Sequence, residues 1–182
     1  MTSYSGTDFG RAFRTVRKNT IQVAMDIPAG QWGFRATPES MSVHEMLAHL
    51  AASTTWQLKL HGQDKKTFVT FEDFGAYIGA AKAFEQAMDT RDAVLRALEV
   101  DGETFAAFLD GLSESDLAER VGFPAPLDPP SKTRFEMLMG TKEHEMHHRA
   151  QLMVCQRLVG VVPHLTRARQ ARTAAPAPAP KN

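Results

Sequence analysis

The 182 residues balance 21 Lys and Arg against 21 Asp and Glu, so the molecule has no global field to draw in nucleic acid or an anionic membrane. A hydrophobic fraction of 43% is ordinary for a soluble globule, and the length suits one domain with a core that needs no staples. A single cysteine, Cys155, excludes an intrachain disulfide and any cysteine-built metal cage. No apolar run approaches the roughly 18 residues of a membrane span, and the N-terminus lacks the hydrophobic core of a signal peptide, so a cytoplasmic, reduced protein is expected.

Taken in order, the chain first repeats Phe9, Phe13, Val16, Thr20, Val23 and Ile27 at three and four, with Arg11, Arg14, Arg17 and Lys18 mostly to the side. The spacing predicts an amphipathic helix from Gly6 to about Ile27, ended by Pro28 and Gly30. Trp32 and Phe34 then begin a connection suited to covering an end of the core. Ser42 and Glu45 form a capping box for a second helix running to about His61. Its apolar arc holds Val43, Met46, Leu47, Leu50, Trp56, Leu58 and Leu60. His49 falls inside that arc and His44 on the opposite, polar side.

Residues 62–72 read as a polar loop with Lys65 and Lys66. A shorter helix from Asp73 carries Phe74, Tyr77, Ile78, Ala81, Phe84 and Met88. Asp89 or Thr90 caps another long one, striped by Val94, Leu98, Phe105, Phe108, Leu109 and Leu112, with Gly111 as its stop. SESDLAER can add a turn or two. VGFPAPLDPPSKT, with four prolines, cannot be helical and is expected to close one end of the fold, or to serve a site as wall or lid.

From Ser131, a plausible N-cap, to Gly160, a plausible terminator, runs SKTRFEMLMGTKEHEMHHRAQLMVCQRLVG. At about 100° per residue, His144 and His148 project within roughly 40° of each other, among Met137, Thr141, Leu152, Cys155 and Val159. They stand one turn apart, about 6 Å along the axis, the spacing at which two imidazoles can share a metal ion. One histidine on an apolar face is more often a hydrogen-bonded core residue; a pair at i and i+4 leaves both readings open. His147 and Gln151 belong to the rim of this arc. Beyond Glu145 no acidic residue follows, whereas Arg149, Arg157, Arg167, Arg169, Arg172 and Lys181 do. After Gly160 periodicity is lost and APAPAP is low-complexity, so the expected division is a folded domain over 1–165 and a disordered basic, Ala/Pro-rich tail over 166–182.

Four long apolar-striped helices, one short extra helix and no convincing period-two strands make an all-α four-helix bundle, with a proline-rich loop before the last long helix. Bundles of this kind build metal sites from facing helices, and His49, His144 and His148 would supply three neutral nitrogens with positions left open, the pattern of a reactive site.

SVHEMLAHLAAS followed about 90 residues later by KEHEMHHRAQL resembles the DinB/YfiT-like superfamily of metal-binding four-helix bundles, over about Gly6 to Val162. The resemblance implies an up-down-down-up bundle. It places the family's metal histidines at His49, within EMLAHL, and at His144 and His148, within HEMHHRAQ, where Ala150 stands in place of the usual glycine. It further implies a homodimer, although the apolar stripes single out no exposed face.

Characterised relatives include S-transferases and isomerases that use bacillithiol, mycothiol or glutathione. The resemblance therefore implies a divalent ion, zinc, nickel, iron or manganese, that binds a small thiol and presents its thiolate to a small electrophile, with nearby basic residues for the thiol's carboxylates. The ligands suggest no particular catalytic acid or base, which leaves a non-catalytic metal-binding bundle, acting in stress response or partner binding, as the alternative. His144 to His148 also spells H-E-x-x-H, the signature of zinc hydrolases with Glu145 as base. Val154 stands where the extended motif needs its third histidine, and Glu145 reads instead as a surface partner of Lys142 or Arg149. DNA binding by the basic tail is disfavoured, since the tail is short and lacks interleaved aromatics.

Overall fold

The computed structural model describes residues 4–174. Its seven helices are α1 (Gly6–Asp26), α2 (Val43–Leu58), α3 (Phe71–Ala87), α4 (Arg91–Asp110), α5 (Glu114–Ala118), α6 (Arg134–Leu158) and α7 (His164–Ala174), with short strands β1 (Arg120–Gly122) and β2 (Ser131–Thr133). Helix starts are chemically explicit. Ser5, Ser42, Thr70, Ser113 and Thr133 each accept from the backbone N–H three residues on, and an acid at that position, Asp8, Glu45, Asp73, Asp116 or Glu136, reaches back to the cap's own N–H. These reciprocal bonds satisfy donors that the first turn would otherwise leave orphaned.

Helices α1, α2, α4 and α6 form the bundle, with α1 and α2 each packed on both α4 and α6. Contacts along the helices fix their directions. Phe9 meets Phe135 and Arg17 meets Glu145, so α1 and α6 run parallel. Arg14 pairs with Asp110 while Arg17 bonds Leu98 O, so α4 runs against α1. His49 meets His144, while Trp56, seven positions on in α2, and Met137, seven positions back in α6, line the same cavity, so α2 runs against α6. The order is therefore up-down-down-up. Two large apolar clusters fill the interior, one around Leu47, Leu50, Leu98 and Leu152 and one around Phe9, Phe13, Phe105 and Leu138. The shorter helix α3 lies on α2. Trp32 is buried in the first cluster, where it covers a core end as expected.

Three local expectations change. Helix α2 does not end cleanly before Gly62: a wide turn over Lys59–Gln63 continues it, burying Leu60 and His61. Ser131 does not cap the last long helix, because it pairs with Gly122 in an antiparallel hairpin whose loop contains all four prolines; Thr133 is the cap. The hairpin places Val121 against Leu60, Val69 and Tyr77, closing one end of the bundle. Finally, the expected tail is helical over its first part, since α7 runs to Ala174 and is tied down by His164 to Asn19 and Arg167 to Asp26. The APAPAP segment lies outside the described residues. No described helix is long and apolar enough to cross a membrane.

Candidate metal centre

His49 on α2 and His144 and His148 on α6 turn their rings to one point. His49 Nε2 lies 3.0 Å from His144 Nε2, His148 Nε2 lies 3.1 Å from the same atom, and all three ligand-capable atoms fall within 4.8 Å of one another. Nitrogens bonded to one ion at about 2.0–2.1 Å with tetrahedral angles would stand about 3.3 Å apart.

Proton bookkeeping tests the fit. His49 Nδ1 lies 2.8 Å from Glu85 Oε1 on α3, and a carboxylate only accepts, so Nδ1 carries the proton and Nε2 the lone pair. His148 Nδ1 donates to Gln151 Oε1 at 2.8 Å, which likewise leaves its Nε2 a lone pair. His144 Nε2 faces both and carries at most one proton, so at least one short contact sets lone pair against lone pair. A cation at the common point resolves this, and the donor set fits a divalent metal. Burial pushes His144 down to about 4, with further help from His148 and His49, and burial also lowers His148 against an opposing hydrogen bond from Gln151. Both rings are thus neutral near pH 7, as ligands must be.

The two rim positions divide their work. Gln151 bridges, its Oε1 on His148 and its Nε2 3.2 Å from His147 Nε2. His147 stacks edge-on to His148 at 5.0 Å. Glu85 was missed by sequence reasoning, although a signal existed: with Ile78, Ala81 and Met88 it recurs at three and four, an acid on an apolar stripe. Ala150 is exposed, so the alanine there narrows no packing.

The histidines lie between two cavities. One, of about 350 Å³, is lined by Met41, Met46, His148, Gln151, Val154 and Cys155, among others. The second, of about 300 Å³, holds His49 and His144 and extends between α2, α3 and α6. No Lys, Arg, Asp or Glu lines either one. The basic residues expected to receive a thiol's carboxylates are therefore not among the lining residues, and the proline-rich loop walls neither cavity.

Glu145 corrects both readings made of it. It is fully buried and pairs with Arg17 of α1, not with Lys142 or Arg149 on the helix surface. Held by a guanidinium in the bundle interior, it cannot serve as base at the histidines, and the nitrogen completing the triad comes from upstream, at His49. His164, the one downstream histidine, bonds Asn19 Oδ1. The zinc-hydrolase reading of H-E-x-x-H fails on these contacts.

A model of the DinB superfamily matches residues 12–152, a span that includes all three histidines. The chain belongs to the DinB superfamily. Two solved structures share its fold. A DinB-like protein from Bacillus subtilis, YjoA, is 20% identical with a TM-score of 0.61, over 83% of this chain and 90% of that one. The colibactin self-resistance protein ClbS, in complex with a dsDNA, is 16% identical with a TM-score of 0.62, over 86% of this chain and 98% of that one. A search of curated proteins found no match.

Proposed function

We propose that the protein is a divalent-metal-dependent transferase that joins a low-molecular-weight thiol to a small electrophile. The observation that carries this reading is the convergence of His49, His144 and His148, with a cavity on either side of them. These three residues would hold the ion, and zinc, nickel, iron and manganese all accept three imidazoles. When bound, such an ion supplies a Lewis acid that lowers the pKa of a thiol. Glu85 and Gln151 keep the Nδ1 proton on their histidines, which aims each Nε2 lone pair at the common point. Met41, Met46 and Val154 on one side and Trp56, Ile78 and Met137 on the other give the two cavities apolar walls. A homodimer belongs to the same reading, and sedimentation would measure it.

Elemental analysis of the purified protein and of His144→Ala tests the ligands: about one ion per chain is expected in the first and none in the second. Turnover of a generic electrophile with glutathione, mycothiol or bacillithiol then tests the chemistry. A metal-loaded protein with no turnover, and no thiol-dependent change in the spectrum of a cobalt-substituted site, would favour the alternative of a non-catalytic metal-binding bundle. That alternative draws on the lining residues, which offer no carboxylate, amine or guanidinium beside the imidazoles.

Duplex DNA binding is a second reading, favoured by the helical presentation of exposed Arg169 and Arg172 on α7, which contains no acid, and by the ClbS complex. Phosphate contacts predict affinity that falls steeply with salt. Absent or salt-insensitive binding would remove it.

A further inference from the structure

Two buried polar atoms beside the triad have no partner. Gln57 is 7% exposed and Thr141 4%, and neither Gln57 Oε1 nor Thr141 Oγ1 makes a hydrogen bond. Leaving such a group unsatisfied costs about 1–3 kcal/mol. Other helical threonines avoid that cost: Thr20, Thr54, Thr55 and Thr104 each donate to a carbonyl one turn back. Thr141 does not, and Thr141 and Gln57 are both among the residues that line the cavity containing His49 and His144.

The arrangement is directional. His49, Ser53 and Gln57 recur at four-residue spacing on α2, opposite Thr141 and His144 on α6, so a polar track about 12 Å long leads away from the triad. Ser53 donates to Leu50 O and is already satisfied, which leaves Gln57 and Thr141 as the open groups. Trp56, Ile78 and Met137 form apolar walls. Gly140 also lines the cavity, and a Cβ there would meet nothing within 4 Å, so the missing side chain leaves width at this point.

We propose that this cavity binds an uncharged small molecule with an apolar body and an amide or hydroxyl group roughly 5–12 Å, one to two helical turns, from the atom it presents to His49 and His144. The inference rests on the reading of the triad as the reactive centre. A carboxamide or hydroxyl satisfies Gln57 and Thr141 whichever way the glutamine amide is turned. An ionic ligand finds no counter-charge on the walls and loses its hydration. A volume of about 300 Å³ is at the small end of ligand pockets.

Ligand-detected NMR titration of the full-length protein with N-benzylacetamide, beside the charged analogues phenylpropionate and phenylpropylamine, tests the assignment. The amide is expected to bind saturably and the charged analogues at least about tenfold more weakly. Gln57→Leu combined with Thr141→Val is expected to weaken the amide about tenfold, the value of one hydrogen bond. Gly140→Phe, which fills the cavity and replaces none of the three histidines, is expected to abolish binding. Equal affinity for the charged analogues, unchanged binding in both variants, or no amide binding would overturn the proposal. Metal content, measured on the same samples, reports separately on the triad. Metal without amide binding overturns the pocket alone, and amide binding without metal supports the pocket while overturning the metal reading.

Discussion

Arg17 Nε lies 3.0 Å from both carboxylate oxygens of Glu145, and the two side chains are only 4% and 1% exposed. The same guanidinium donates to Leu98 O at 3.0 Å and Leu50 O at 3.2 Å, so one side chain of α1 binds α2, α4 and α6 together. A buried pair of this kind need not add net stability over an apolar replacement, but breaking it strands a charge. Glu145→Ala is expected to lower unfolding free energy by about 3–5 kcal/mol, while Arg17→Met with Glu145→Leu recovers most of the loss. Urea denaturation of the single and double variants measures this, and a single variant within about 1 kcal/mol of wild type would mean the pair is not the tie described.

This pair also marks where the sequence misleads. The bundle and the meeting of His49 with His144 and His148 were legible, because apolar periodicity and two histidine segments encode them; the up-down-down-up order came from the resemblance to the family. What was not legible were charges placed inward. Arg17 stands four beyond Phe13 and three before Thr20, on the apolar stripe itself, but its charge makes it read as a flanking residue, and Glu145, three beyond Lys142 and four before Arg149, reads as a surface partner of theirs. Only the partner on another helix makes their burial possible, and no local pattern in one helix names that partner. The hairpin was illegible for a related reason: strands of three residues are too short to show alternation.

Glu85 supports His49 from a helix outside the four-helix core. Its side chain is 24% exposed, so removing it leaves the fold intact, but it frees His49 Nδ1 to change tautomer. If the triad holds a metal, Glu85→Ala is expected to weaken its affinity about 10–100-fold, as loss of a carboxylate behind a ligating histidine does elsewhere. Competition against a chromogenic chelator reads the change, with Glu85→Gln recovering part of it by accepting the same proton. Unchanged affinity in the alanine variant would remove Glu85 from the site.

Two glycines in long helices should respond oppositely to alanine. A Cβ at Gly140 meets open space, so Gly140→Ala is expected to stabilise by about 1 kcal/mol through helix propensity. At Gly10 the same Cβ would lie 2.0 Å from Asp110 Oδ1 and 2.7 Å from Ala106 O, because α1 and α4 approach each other there backbone to backbone. Gly10→Ala is expected to destabilise by about 1–3 kcal/mol as the helices are pushed apart. Thermal midpoints of the two variants should move to opposite sides of wild type, and a shift in the same direction would contradict the packing of α1 on α4.

His61 gives the fold a pH dependence separate from the triad. Its Nδ1 accepts from Arg134 Nη1 at 2.8 Å, and burial first, with the Arg134 charge second, pushes its pKa down to about 3. Glu119 pairs with Arg134 on the far side, while Lys65 and Asp116 line the adjoining cavity. Because the folded value lies below the ordinary histidine value of 6.5, the unfolded chain binds the extra proton between the two. The contribution is therefore complete above about pH 6.5 and is lost progressively as the pH falls toward about 3. Stability is expected to drop by about 2 kcal/mol from this group between about pH 6.5 and about pH 4.5. His61→Gln, which keeps an acceptor for Arg134 and cannot be protonated, is expected to lack that portion of the slope. Denaturation at the two pH values in both proteins isolates the difference from the titration of the other histidines, and parallel slopes would show that His61 is protonated in the folded state.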